Sequence, residues 1–274
     1  VTVTYTATLG SLIFDCATPD SDGIVWSFES IDGWHDSADV DQSLLDVMYG
    51  QTVTGAHEKA RALIIRGGAY LPGTPPRPLE AKWWLAERRL KRETRFVYVP
   101  GLLTVIEPAL SLQAYVLRPR KIAVKRIGAG PYNLGFEIPL LAPDPRRYDA
   151  SLTTNTDLEL TGSGTTDSAT IINAGDQPTA PTVTIDGPAT NPKVTNADDD
   201  GRYVEYVGTL GAGDTLVLDM AAQTATIASV SVIGSISAAS QFWSLLPGNN
   251  GVTYARTAGS GTSAALVAYR HAYS

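Results

Sequence analysis

The stretch that most constrains this chain is Leu134 to Tyr148, L-G-F-E-I-P-L-L-A-P-D-P-R-R-Y. Leu134, Phe136, Ile138 and Leu140 alternate with Gly135, Glu137 and Pro139, so one face of a strand is apolar and the other is not. Pro139 cannot donate to a ladder, which points to an edge position or a bend. Pro143 and Pro145 then stop regular structure, because proline fixes φ and restricts the residue before it. A-P-D-P is therefore a stiff connector, and the chain on its two sides has different texture. The reading is two domains, 1–142 and 143–274, within a length that allows two ordinary β domains.

Composition supports an all-β chain. The hydrophobic fraction of 43% supplies cores, and glycine, threonine and serine are abundant enough for many turns. Cys16 is the only cysteine, so no intrachain disulfide is expected, in keeping with synthesis in a reducing cytoplasm. No apolar run of about 18 residues occurs, so no membrane insertion is expected. No secretory signal is visible either.

Along the first half, Val1 to Phe14 and the alternation at Trp26 and Phe28 read as strands. Gly33 to Asp46 has weak periodicity and reads as a long loop, while Ala60 to Arg66 reads as a buried strand. Pro78 to Glu93 is the one helix. Pro78 suits its first position, acids precede bases along it, and Leu79, Trp83, Ala86 and Leu90 form its apolar face. Trp83 and Trp84 are expected to pack against a sheet. Strands return at Phe96–Val99, Leu102–Ile106, Leu110–Leu117 and Ile122–Ile127. After the connector, short apolar runs alternate with Asp, Asn, Gly and Pro, as in a sandwich or jelly roll. Gly175, Gly187, Gly213 and Gly248 mark positions where turns need positive φ or a tight reversal. Trp243 reads as a core anchor between two sheets.

Charge is segregated. Residues 1–58 carry ten acids and no Lys or Arg, whereas residues 59–147 carry seventeen bases and six acids. Residues 148–274 carry four bases and twelve acids. The flanking acid argues against a nucleic-acid platform and for complementarity within the fold or between subunits. The interface residues expected on this ground are Asp36, Asp39, Asp41 and Asp46 on one face and Arg88, Arg89 and Arg92 on the other.

Catalytic chemistry is not visible. His35 sits beside acids but has no second ligand at metal spacing, and His57 and His271 are isolated. Cys16 has no partner and reads as a buried or incidental thiol. Asp198-Asp199-Asp200-Gly201 lacks the alternating ligands of a calcium loop and reads as a hairpin turn. No nucleophile elbow, HExxH or P-loop pattern occurs, so the expectation is no enzyme, no cofactor and no metal.

The chain resembles the distal tail (Dit) proteins of long-tailed bacteriophages (siphophages). The motifs are F-E-I-P-L-L-A-P-D-P-R-R-Y at 136–148, N-A-G-D-x-P-T-A-P at 173–181, D-G-P-A-T-N-P at 186–192, L-G-A-G-D-T-L-V-L-D at 210–219 and F-W-S-L-L-P-G-N-N at 242–250. The first half resembles the family in layout alone. The resemblance implies an N-terminal β-sandwich or split barrel with one helix (1–142) and a galectin-like β-sandwich (143–274). The first would build a ring, usually of six subunits, and the second would project outward. Such a hub joins the tail tube protein to tail-tip or baseplate proteins and leaves a channel for DNA in transit. Its place would be the virion tail tip, after synthesis in the host cytoplasm. The rival expectation is a carbohydrate-binding, lectin-like adsorption protein. Thr190-Asn191-Pro192-Lys193 resembles part of a galectin sugar motif, but Trp243 is followed by Ser244-Leu245-Leu246 rather than by charged partners.

Overall fold

The structure is a computed structural model that describes residues 5–37, 40–47, 50–71, 79–127 and 134–274, with the hairpin at 40–57 described by its backbone. The chain divides into two compact units, residues 1–150 with Ser274, and residues 151–273. The division falls after the A-P-D-P connector rather than within it, beyond the expected 142/143.

The first unit contains β1 (Thr6–Leu9), β2 (Leu12–Phe14), β3 (Val25–Asp32), β4 (Val40–Val47), β5 (Gly50–Glu58), β6 (Arg61–Tyr70), α1 (Leu79–Glu93), β7 (Gly101–Ile106), β8 (Ser111–Val116), β9 (Ala123–Arg126), β10 (Leu134–Ala142) and β11 (Arg147–Asp149). One sheet runs β11-β8-β7-β1-β2-β3-β6-β10-β9, and β4 and β5 form a separate hairpin. The sheet curls until Leu117, just past β8, exchanges two 2.8 Å backbone hydrogen bonds with Leu141 of β10. That contact brings the two ends of the sheet together, compatible with the β-sandwich or split barrel expected of the N-terminal half. Pro139 is accommodated because β9 pairs only with Leu134–Glu137 and stops short of it. Phe14, Trp26 and Phe136 meet at centroid distances of 5.7–6.5 Å in the core. Helix α1 buries Ala86 and Leu90 against that core.

Three expectations are corrected here. Gly33–Asp46 is not one loop, since Val40–Val47 pairs with Gly50–Glu58. A hairpin needs only its own cross-strand bonds, so weak apolar periodicity hid it. Phe96–Val99 is not a strand but a bend in which Tyr98 is 94% exposed. Phe96 instead lies against Gly101, where any Cβ would collide with its ring. Trp83 is half-buried, its indole donating to the Ile127 carbonyl at 3.3 Å, but Trp84 is 57% exposed rather than packed on a sheet. Adjacent helical positions differ by about 100°, so both rings cannot share one buried face. Pro78 lies outside the described residues.

The second unit contains β12 (Thr153–Leu160), β13 (Thr166–Asn173), β14 (Thr182–Asp186), β15 (Ala189–Thr190), β16 (Lys193–Asn196), β17 (Tyr203–Glu205), β18 (Thr209–Leu210), β19 (Thr215–Asp219), β20 (Thr224–Ile227), β21 (Val230–Ser231), β22 (Gly248–Ala255) and β23 (Ser263–Tyr269). A six-stranded sheet, β12-β23-β14-β19-β20-β21, faces a four-stranded sheet, β13-β22-β16-β17. Alternating residues of both, among them Ile171, Val183, Val194, Leu216, Tyr254 and Val267, make one core around Trp243. The result is a β-sandwich compatible with the galectin-like expectation.

Candidate functional site

Helix α1 carries most of the charge chemistry of the first unit, on two faces. On one face Arg89 is buried, with Nε 3.3 Å from Asp20 Oδ2 and Nη1 3.1 Å from Glu93 Oε1. The Nε contact is too poorly aligned for a hydrogen bond, so it is ionic. Asp20 is held in place by the backbone amides of Asp22 (2.8 Å) and Ile24 (3.0 Å) and by the Trp26 indole (2.9 Å). Arg92 lies 3.6 Å from Asp22 and 2.9 Å from Glu93. Acids of the first block therefore neutralise bases of the second inside the unit at this face. Arg89 is an internal ion-pair partner, 8% exposed.

On the outer face, Arg88 stacks over Trp84 at 5.1 Å. Trp84, Arg88, Lys91, Arg92, Arg95 and Arg126 line a cleft of about 420 Å³ in which Glu87 is the one acid among the described residues. Lys91 donates to Glu87 at 2.5 Å and Arg126 at 3.2 Å, and the Lys91 hydrogen bond leads in holding its carboxyl below the usual range. A neighbouring cleft continues the basic surface to Lys121. Among the described residues, no ion pair satisfies Arg88, Arg95 or Lys121. Arg95, Lys121 and Arg126 were not singled out from sequence. The bases at 88 and 91–92, about one turn apart on α1, with Arg95 just past its end, are the signal that finds the helical part of the cleft.

Of the acidic candidates, Asp36 is exposed and its carbonyl accepts from Arg61 Nη1. Asp39 lies outside the described residues. Asp41 and Asp46 are placed on β4 by their backbone alone. Arg61 is buried and donates to the carbonyls of Gly33, Trp34 and Pro145, tying the loop that bears Asp36 to the connector. In the connector, Asp144 is desolvated, which by itself raises its pKa. Hydrogen bonds from Arg146 (2.9 Å at Nε) and Tyr148 (2.7 Å) outweigh this and hold it low. Burial and the same carboxylate push the Tyr148 hydroxyl up.

The remaining candidates read as structure. His35 Nε2 lies 3.8 Å from Glu107, which also accepts from the Trp34 indole at 2.8 Å. His271 Nδ1 accepts from the Ala174 amide, and the side chain of His57 lies outside the described residues. Cys16 is exposed rather than buried, in a left-handed turn with φ 62°. The three aspartates diverge. Asp198 takes the Gly251 amide, Asp199 takes the Ser244 amide and Arg202, and Asp200 turns to solvent at φ 54°. In the galectin-like motif, Lys193 Nζ sits 3.8 Å from the Tyr203 ring centroid and Trp243 is 1% exposed, so that indole offers no stacking surface. Among the described residues, no helix is long and apolar enough to cross a membrane.

Residues 174–273 match the family described as the siphovirus-type tail component, C-terminal domain (SPP1_Dit). The whole chain has the fold of the Dit protein of phage SPP1, described as a paradigm of the hub adsorption apparatus in phages infecting Gram-positive bacteria. The TM-score is 0.70 at 13% identity, over 98% of this chain and 99% of that one. The baseplate of phage p2 in its activated conformation, with Ca or with Sr, aligns at TM-scores of 0.47 and 0.45, 9% identity and 98% of both chains. No curated protein sequence matches. The resemblance to distal tail proteins is therefore supported by family in the second unit and by fold along the chain.

The motifs of the matched region are packing devices. In N-A-G-D, Asn173 donates to the carbonyls of Gln177 (2.8 Å) and Leu245 (3.2 Å) and accepts the Gly175 amide. A Cβ on Gly175 would overlap the Ala272 carbonyl, so glycine is required by close approach rather than by φ. Gly213 and Gly248, at φ 92° and 90°, do need positive φ. In F-W-S-L-L-P-G-N-N, buried Asn250 bonds both the amide and the carbonyl of Leu246 at 2.8 Å.

Proposed function

We propose that this chain is a structural distal tail protein of a siphophage. Its first unit builds a closed ring, six-membered by analogy, and the second is carried outside that ring. The hub joins the tail tube to tail-tip or baseplate proteins at the virion tail tip and leaves a channel through which DNA passes. It performs no catalysis. The observation that carries this reading is the combination of a tail-component domain at 174–273 with a hub-protein fold that spans 98% of the chain. Heterologous contacts, in which one surface of a subunit meets a different surface of the next, close into rings when the rotation allows. Segregated charge on the first unit suits that kind of contact. Negative-stain images of the purified full chain test it. Closed rings with one peripheral lobe per subunit are expected, and a monomer at micromolar concentration overturns it. The lectin-like alternative gains no support from a motif whose tryptophan is buried.

A further inference from the structure

Bases from separate elements of the first unit line one surface. Helix α1 supplies Arg88, Lys91 and Arg92, the segment just past it Arg95, and β9 Arg126. The adjoining cleft, about 450 Å³, shares Lys91 and Arg95 with the first and adds Arg118 and Lys121. Bases in a last helical turn complement the helix dipole. Lys91 and Arg92 fill that role on α1, and it asks nothing of Arg118, Lys121 or Arg126. Counter-charge is scarce at this surface. Glu87 is the one acid lining either cleft among the described residues, and Lys91 and Arg126 share it. Arg92 reaches Asp22 and Glu93, which also serve Arg89. Arg118 donates to the carbonyls of Thr94 and Arg120, which leaves its charge uncancelled. Acids near the basic block in sequence are spent elsewhere in the fold. Asp20 is set against Arg89, and Asp32 and Glu137 hold Arg66. The net charge of −7 arises beyond residue 147, because residues 1–147 carry seventeen bases and sixteen acids.

We infer that these two clefts hold the phosphate backbone of duplex DNA, without reading its sequence. The centres of protein–protein interfaces are depleted in charge, whereas interfaces with nucleic acid are far more positive. Here the lining is cationic apart from Glu87, Trp84, Thr94 and Ile122. Five of its seven bases are arginines, whose planar fork fits two phosphate oxygens at once. Exposed Trp84 seats the Arg88 guanidinium on its ring, which orders that fork at the rim. An acidic protein segment is the less favoured occupant, because an interface built almost wholly of bases lacks the apolar centre such a contact uses. The inference goes beyond the hub reading, since a ring can let DNA pass without holding it.

Fluorescence anisotropy of the full-length protein with short labelled duplexes of two unrelated sequences tests this. Both duplexes should bind alike. Engaging about four phosphates gives a slope of about −3.6 in log K against log salt, so affinity should fall about 100-fold between about 50 and 200 mM salt. Arg88→Glu, Arg95→Glu and Lys121→Glu together should weaken binding by at least about tenfold and flatten the slope to about −1. These three side chains are exposed and make no ion pair among the described residues, so an unchanged circular dichroism spectrum and melting temperature should accompany the loss. Polyglutamate at equal charge concentration should displace far less duplex than unlabelled duplex does. If it displaces as much, the clefts take acidic protein and the inference is overturned. A wild type that binds no duplex at low salt, or a folded triple variant that binds as well as wild type, overturns it too. Negative stain of the same samples keeps the two readings apart. Rings that ignore DNA sink this inference and leave the hub reading standing, whereas a monomer that binds DNA does the reverse.

Discussion

Arg89 of the first unit and Arg256 of the second are both buried and are held by opposite chemistry, although Arg61 of the first unit is, like Arg256, held by carbonyls. Arg89 in the first unit is set against carboxylates, Asp20 and Glu93, recruited from a loop and from its own helix. Arg256 in the second touches no carboxylate. It donates to four carbonyl oxygens, those of Gly162, Gly164, Pro188 and Gly261, at 2.8–3.2 Å. The first arrangement joins segments of opposite charge. The second ties three loops at one end of the sandwich with a cation whose partners are backbone. The contrast extends to the surfaces. The first unit leaves Arg88 and Arg95 without an ion pair in the α1 cleft, among the described residues, while the second unit encloses Trp243, Tyr254 and the asparagines Asn173, Asn196 and Asn250.

The comparison breaks most readily at Arg89. Arg89→Met leaves Asp20 buried without its counter-ion and should cost about 3 kcal/mol in denaturant titration, localised to the first unit by hydrogen exchange. Asp20→Asn added to that variant should recover part of the loss, because the stranded charge is gone. Arg256→Met should cost less, about 2 kcal/mol, and only in the second unit. Its loss should be the same at low and high salt, since no anion is stranded. If Arg89→Met proves no costlier than Arg256→Met, the distinction between the two burials collapses.

A smaller effect separates the units by pH. The folded pKa of Asp144 lies below its unfolded value of about 3.9. Its contribution is therefore present above that pH and is lost as pH falls through the lower folded value. Asp144→Asn should weaken the first unit modestly at neutral pH and flatten its stability loss below about pH 4. The second unit should be unchanged in the same experiment.

Local pattern determined a good deal of this molecule. Period two at Leu134–Leu140 yields β10 with its apolar face inward, and Ala86 and Leu90 at helical spacing yield the buried face of α1. The alternating runs after the connector yield the two sheets of the second unit, and Trp243 is the anchor its neighbours imply. These features depend on side-chain direction along one element, which sequence spacing encodes. What sequence could not assign was which charges meet. Arg88 and Arg89 are adjacent, yet the helical rotation of about 100° sends one to solvent over Trp84 and the other into the unit against Asp20. One partner of Arg89, Asp20, lies far away in sequence, and long-range pairing is a property of the assembled sheet. The same holds for Arg126, which joins the cleft only because β9 pairs with β10 beside α1. It holds again for Gly175, whose need for glycine is set by the carbonyl of Ala272. Residue type and spacing decided the elements, and the close approach of distant backbones decided the sites.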